Sequence, residues 1–174
     1  AVSLSTLLAI IDRQVTKASR LARASHARLI EAIESVPQWF ALFDAGDRLI
    51  ICNHKYREVM SGAGAEVQSG DLFESIVRRT AERGDIPAAM GNVEPWMRCR
   101  LEMHRNPVTP YLEYRTSGEW LQINERKTQD GGIVCIATDI TALKNAEQAA
   151  EDAKARLADS LALVEEAKTR MQEE

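Results

Sequence analysis

Two long stretches without glycine or proline, one at each end of the chain, limit most strongly what this sequence can fold into. They cover residues 3–36 and 141–174 of the 174 residues. In both stretches, apolar and small residues recur in alternating steps of four and three, the spacing found along the contact line of a coiled coil. We therefore predict a long helix at each end of the chain and a separate domain between the two.

The apolar residues on one side of each predicted helix indicate pairing with a second copy of the chain. Those predicted to form the contact are Leu4, Leu8, Ile11 and Val15 in the first helix and Leu157, Leu161 and Val164 in the second. A helix of the second stretch would be roughly 50 Å long, too long to pack wholly against one small domain. We predict a homodimer. For the first helix there is one alternative, namely that it lies along its own domain.

The residues between the two helices show strand, turn and short-helix patterns in a definite order. Strands are predicted at 39–44, 48–52, 111–115, 120–127 and 133–140, and helices at 54–60, 71–83 and 93–104. Asn53 is a residue that suits the start of the first of these helices. The last strand is apolar on both faces, although an antiparallel strand usually exposes one face to water. We expect the N-terminal helix to cover its second face.

This order of elements, together with several short motifs, resembles the PAS family. The motifs that carry the resemblance are AIESVPQWFALFD at 32–44, RLIICNHKY at 48–56, AERG at 81–84, RNP at 105–107, EWLQI at 119–123 and Asp139-Ile140-Thr141. The last motif matches the signature that ends PAS cores and begins a signalling helix. The resemblance covers about residues 29–144.

The resemblance implies an α+β fold, with a five-stranded antiparallel sheet, helices on one face, and long helices at both ends. It divides the chain into an N-terminal dimerisation or capping helix (1–36), a PAS core (37–140) and a C-terminal signalling coiled coil (141–174). It implies a sensory or relay module of a bacterial multidomain signalling protein. The output domain, a cyclase, kinase, diguanylate cyclase or phosphatase, is expected outside these residues, and no enzymatic activity is expected within them.

The junction between the last strand and the last helix is the predicted site of signal transmission, at Asp139, Ile140 and Thr141. In PAS proteins the Asp and Thr of this motif couple the two elements. The residue types allow this, because Thr141 can cap the new helix and Asp139 can hold a polar tie beside it.

PAS domains also enclose a small pocket between sheet and helices. The candidate lining residues are Phe43, Phe73, Ile76, Val77, Met97, Ile123 and Cys135. Simple core packing is the alternative for most of them, and a small-molecule ligand stays open. A dimerisation scaffold that binds no ligand and senses nothing is the second reading of the whole chain.

No tightly bound cofactor is expected. A light-sensing flavin site needs cysteine in an Asn-Cys-Arg setting, and none of Cys52, Cys99 and Cys135 has one. Cys99 lies between Arg98 and Arg100, a setting that could make its thiol sensitive to oxidants. We expect instead a half-buried thiol that packs as a small apolar side chain. A haem site usually needs histidine on the helix at 71–83, which has none, while His54 and His104 are expected to be exposed or to cap helix ends. No Cys/His cluster indicates a metal.

The net charge of −4 argues against nucleic acid as a partner, since such proteins carry a basic stripe. The apolar run at 4–11 is too short to span a membrane. Three widely separated cysteines favour a reducing compartment, and we expect a cytoplasmic location.

Overall fold

A computed structural model describes residues 4–62, 66–108 and 110–172, with the side chains of residues 12–62, 66–108 and 110–171. The elements are α1 (Leu4–Ser35), β1 (Trp39–Phe43), β2 (Leu49–Cys52), α2 (His54–Met60), α3 (Phe73–Glu82), a 3-10 helix (Pro87–Ala89), α4 (Val93–Arg105), β3 (Tyr111–Tyr114), β4 (Trp120–Lys127), β5 (Ile133–Asp139) and α5 (Thr141–Gln172). The strands form one five-stranded sheet in the order β2-β1-β5-β4-β3. The predicted α+β class, with a five-stranded antiparallel sheet and a long helix at each end, is confirmed.

The contacts of the chain divide it into two compact units, Ala1–Ile76 with Arg126–Ile136, and Val77–Glu125 with Ala137–Glu174. In the first unit, β1 and β2 form an antiparallel hairpin. Its turn is set by Asp44, whose Oδ1 accepts hydrogen bonds from the backbone N–H groups of Gly46 and Arg48 at 2.8 and 2.9 Å. Asp47 takes the left-handed conformation that the turn requires, with φ at 58°, which Asp tolerates better than most residues.

The side chain of Asn53 fastens three segments of this unit together. It begins α2 as predicted, and it is fully buried. Its Oδ1 accepts hydrogen bonds from the backbone N–H groups of Phe40 and Tyr56 at 3.0 and 3.1 Å. Its Nδ2 donates to the carbonyl oxygens of Val36 and Gln38 at 3.1 and 2.7 Å. One buried amide therefore holds the end of the α1 segment, β1 and the start of α2 in register.

The last turn of α1 is also tied to α2 by Glu34. Its Oε2 accepts from the backbone N–H of His54 at 2.7 Å, and its Oε1 accepts from Nη2 of Arg57 at 2.6 Å. The hydrogen bond from Arg57 lowers the pKa of Glu34. Nη1 of Arg57 in turn donates to the carbonyl oxygen of Cys52 at 2.6 Å. The C-terminal end of α1 is therefore attached to the domain at a defined position.

The expectation that α1 covers the second face of β5 is wrong for the single chain. The apolar residues Val15, Leu21 and Leu29 are all more than half exposed, and Val134 and Ile136 on β5 stay half-buried. The physical reason lies in the attachment just described. Polar bonds hold the final turn, while Val15, Leu21 and Leu29, which belong to the described part of the preceding turns, keep their apolar side chains largely exposed.

In the second unit, β3 pairs antiparallel with β4, with Tyr111 opposite Ile123 and Tyr114 opposite Trp120. The 3-10 helix lies between α3 and α4 in the sequence. Pro87 opens it with a backbone angle that suits a helical turn. Ala89 packs in a small apolar cluster with two other buried residues, Ala81 and Ile86.

Candidate functional site

The junction between β5 and α5 is fixed by four hydrogen bonds in the second unit. Oδ1 of Asp139 accepts from the backbone N–H of Thr141 at 2.8 Å, and Oγ1 of Thr141 accepts from the backbone N–H of Trp120 at 2.9 Å. The N–H of Ile140 donates to the carbonyl oxygen of Trp120 at 2.8 Å, and the N–H of Lys144 donates to the carbonyl oxygen of Ile140 at 2.9 Å. The backbone of the first residue of β4 is therefore bonded twice to the junction.

The polar contact expected of Asp139 at this junction is present, and Thr141 bonds to a different element. Asp139, not Thr141, accepts the N–H at the start of α5, where a carboxylate also suits the positive end of the helix dipole. The hydroxyl of Thr141 reaches back to β4 instead. The sequence indicates both residues as polar partners. Their assignment depends on the position of β4, which lies some twenty residues earlier in the chain.

A buried ionic cluster lies between α4 and β4 of the same unit. Glu125 accepts from Nη1 of Arg100 at 3.0 Å through Oε2 and from Nη2 at 2.6 Å through Oε1. Nδ1 of His104 lies 2.8 Å from the same Oε1. The side chains are 4, 3 and 0 % exposed for Arg100, Glu125 and His104. We refer to these three residues as the Arg100–Glu125–His104 cluster.

Electrostatics keep Glu125 charged despite its burial. Loss of hydration by burial raises its pKa, but the hydrogen bond from His104 and the charge of Arg100 together outweigh that effect and lower the pKa to about 2. Because an ionised carboxylate can only accept hydrogen bonds, Nδ1 of His104 carries the proton in this contact. The cluster is therefore an ion pair completed by a donor imidazole.

Sequence reasoning missed this cluster, and the expectation that His104 is exposed or caps a helix end is wrong. Arg100 and His104 lie four residues apart, so they share one face of α4. Glu125 falls on the same side of β4 as the buried Leu121 and Ile123. The sequence did contain one signal of the cluster. Glu125 is charged at a position where the alternation along the strand predicts an apolar residue.

A cavity of about 120 Å³ adjoins the cluster. Met103 from α4, the 106–108 loop, Tyr111 from β3, and Ile123 and Glu125 from β4 line it. The guanidinium carbon of Arg100 lies 4.8 Å from the centre of the Tyr111 ring, a cation–π distance. A wider groove of about 390 Å³ runs along the 3-10 helix, Trp96 and β3.

The seven residues predicted to line a pocket are all buried, as both a pocket wall and a core require. In the first unit Phe43 and Phe73 meet edge to face with ring centres 5.2 Å apart. Ile76 and Cys135 belong to the same unit, and Val77, Met97 and Ile123 to the other. Of the seven, Ile123 lines the 120 Å³ cavity.

The residues predicted to pair two chains all lie on α1 or α5. The side chains of Leu4, Leu8 and Ile11 lie outside the described residues. Val15, Leu157, Leu161 and Val164 are 57–63 % exposed. Apolar side chains at these four positions are available to a second helix.

The cysteines and His54 differ in their exposure to solvent. Cys52 and Cys135 are buried, and burial raises the pKa of the Cys52 thiol. Cys99 is exposed, so the expectation of a half-buried thiol is wrong. His54 is exposed, as expected. Among the described residues no group of three or more His, Cys, Asp or Glu could hold a metal ion, and no helix is long and apolar enough to cross a membrane.

The strand order, the flanking helices and the bonded Asp-Ile-Thr junction together define a PAS domain. Residues 33–148 match the family model described as a PAS fold. The chain belongs to the PAS family.

The chain is also similar to a particular curated protein, the "Non-motile and phage-resistance protein" of Caulobacter vibrioides. The two are 33 % identical over 157 residues, a match that covers 87 % of this chain and 16 % of that protein. The chain therefore spans about a sixth of the length of this relative.

Two solved structures with similar folds are themselves PAS domains. One is the PAS domain of an HTR-like protein from Haloarcula marismortui, at 12 % identity and a TM-score of 0.40, covering 72 % of this chain and 99 % of that one. The other is the PAS domain of BvgS from Bordetella pertussis, at 15 % identity and a TM-score of 0.40, covering 76 % of this chain and 98 % of that one.

Proposed function

We propose that this chain is a sensory or relay module of a bacterial multidomain signalling protein. It works as a cytoplasmic homodimer, and α5 carries the signal to an output domain such as a cyclase, kinase, diguanylate cyclase or phosphatase. The module itself performs no catalysis. The observation that carries the proposal is the bonded junction, where Thr141 joins β4 to a helix on which the apolar residues Leu157, Leu161 and Val164 are more than half exposed.

The bonds at the junction favour transmission because they leave little freedom between sheet and helix. A shift of β4 displaces the N–H and carbonyl of Trp120, and both are bonded to residues 140 and 141. The start of α5 must then follow, or two hydrogen bonds break. A helix of 32 residues, about 48 Å long, carries such a displacement far from the domain.

The exposed apolar stripe on α5 favours a second copy as its partner. Leu157, Val164 and Met171 are spaced by seven residues and are all more than half exposed. Helices in proteins owe most of their stability to packing of such a stripe, and a strict seven-residue repeat suits a left-handed two-helix coil.

Light scattering of the 174-residue chain tests the dimer. The expected mass is about 39 kDa, twice the 19.4 kDa of one chain. Leu157→Glu should lower the mass to that of the monomer, because the substitution places two like charges in the contact between helices. A wild-type mass that stays at 19.4 kDa at all concentrations would refute the proposal.

Ala155→Glu is the matched control for this test. It adds the same charge to the same helix two residues away, and Ala155 is also exposed. Two residues along a helix turn the side chain by about 200°, so this position faces away from the contact. The variant should stay dimeric. Loss of the dimer in both variants would indicate a general effect of charge on α5.

The second candidate function is a dimerisation scaffold that binds no ligand. The observation in its favour is the edge-to-face packing of Phe43 and Phe73, since both rings are fully buried and occupy the interior of their unit. An absorption spectrum of the purified protein, with mass spectrometry of small molecules released on denaturation, separates the two. A released compound at stoichiometric amount favours a sensor, and its repeated absence favours the scaffold.

A further inference from the structure

We propose that the cavity beside the Arg100–Glu125–His104 cluster binds a compact, neutral, mainly apolar molecule. One hydroxyl or amide N–H of this molecule donates a hydrogen bond to Glu125. The inference deepens the proposed function, because a sensory module needs a bound signal. The binding itself is independent of the dimer and is tested separately.

Glu125 has the capacity to accept this donor. A carboxylate offers about four acceptor positions. Oε1 takes hydrogen bonds from Arg100 and His104, and Oε2 takes one from Arg100. In these three contacts Oε2 accepts a single hydrogen bond, and a carboxylate oxygen can accept two. Among the described residues that line the cavity, Glu125 is the one that carries a charge, so it fixes the polar end of a ligand.

The charges of the cluster select a neutral ligand. Arg100 already balances Glu125, so a cation would lose its water without gaining an unbalanced negative charge. Protonation of His104 would make a cation less favourable still. An anion would meet the Glu125 carboxylate directly and be repelled. A neutral donor avoids both costs.

The remaining walls set the size and character of the ligand. Met103, Pro107, Val108 and Ile123 are apolar, and the ring of Tyr111 adds a flat surface. A cavity of about 150 Å³ takes up benzene, so a cavity of about 120 Å³ that opens to solvent at Val108 suits a single-ring molecule of about six or seven non-hydrogen atoms. Val108 is 88 % exposed, which places this wall at the solvent.

Phenol and toluene form a matched pair of probes, because they have the same size and differ in one hydroxyl. The test titrates each into the 174-residue chain and follows the methyl NMR signals of Met103 and Ile123. Phenol should give saturable shifts at these methyls. Toluene should bind about fivefold more weakly, since it cannot make the hydrogen bond. Benzoate and benzylamine, the charged probes, should bind more weakly than phenol.

Ile123→Phe places extra volume in the cavity and should abolish phenol binding. Leu121→Phe is the control, since Leu121 is buried on the same face of β4 but does not line the cavity. Should either variant fail to fold, the wild-type titrations still decide. No saturable shift at Met103 and Ile123 would overturn the site, and equal affinity for phenol and toluene would overturn the donor class.

These outcomes are distinguishable from failure of the proposed function. Light scattering is done without a probe, so a dimer that binds no phenol refutes this inference alone. A monomer that binds phenol at Met103 and Ile123 refutes the relay by paired helices and leaves the site intact.

Discussion

Replacing Glu125 with glutamine removes the charge at the centre of the buried cluster and keeps nearly the same shape. Arg100, whose side chain is 4 % exposed, then has no charged partner in the cluster. Loss of one member of a buried ion pair is costly because the other charge stays out of water, typically by about 3–5 kcal/mol. We expect Glu125→Gln to be folded but clearly less stable than the wild type.

The magnitude follows independently from the titration of Glu125. Its pKa falls from an ordinary 4.5 to about 2. At about 1.4 kcal/mol for each tenfold change, this depression corresponds to about 3 kcal/mol of folding stability. Because the folded-state pKa is depressed, the contribution is complete above pH 4.5 and is lost as the pH falls through about 2. The variant should therefore lose about 3 kcal/mol at pH 7 and about half of that at pH 3.

Urea unfolding followed by circular dichroism measures both values. Protein concentration must be equal in all samples, since the stability of a dimer depends on it. Glu94→Gln is the control, because Glu94 pairs with Arg78 at the surface and its side chain is 66 % exposed. Exposed pairs contribute little, so this variant should lose much less than Glu125→Gln.

Two results would refute the reasoning. A loss below about 1 kcal/mol at pH 7 would mean that the pair does not offset the burial of Arg100. An equal loss at pH 3 and pH 7 would mean that the ionised form of Glu125 is not the source of the stability.

Two further predictions concern the hydrogen bonds of Thr141, at the start of α5, and of Asn53, at the start of α2. Thr141→Val should raise the hydrogen-exchange rate of the Trp120 amide about fivefold, as measured by NMR, because the amide loses its hydrogen-bond acceptor. Thr141→Ser keeps the hydroxyl and should leave the exchange rate near that of the wild type. Equal exchange rates in the two variants would contradict the hydrogen bond. Asn53→Ala should cost about 3 kcal/mol or more in urea unfolding, because the four hydrogen bonds of this buried side chain are lost together. Asn53→Asp keeps the two accepting contacts and loses the two donating ones, so a stability equal to that of wild type would show that the contacts to residues 36 and 38 contribute nothing.

The helices and strands were predictable because their signals are local. Turn residues such as Asp44 and Gly46 act on their own neighbours, and the periodic spacing of apolar residues reports which face of an element is buried. Asn53 is an instructive intermediate case. Its role at the start of α2 follows from residue type, but its bonds to residues 36, 38 and 40 depend on where α1 and β1 lie.

The cluster and the cavity were not predictable for a different reason. Arg100 and Glu125 are 25 residues apart, and the sequence is compatible with many other pairs of oppositely charged residues. Their contact follows from the register of α4 against β4. A cavity forms where side chains leave a gap between them. The residue types of the seven predicted pocket residues, Ile123 among them, do not distinguish such a gap from close packing.

The bonds that set the direction of α5 are complete at Thr141, and on the β4 side they involve the backbone of residue 120 rather than its side chain. The indole ring of Trp120 could therefore be replaced by another side chain without loss of these hydrogen bonds. In a chimaera that replaces the chain after residue 144 with a helix from another protein, the new helix would leave the sheet in the same direction as α5. Insertions in multiples of seven residues would then preserve the orientation of whatever the helix carries, and other lengths would rotate it.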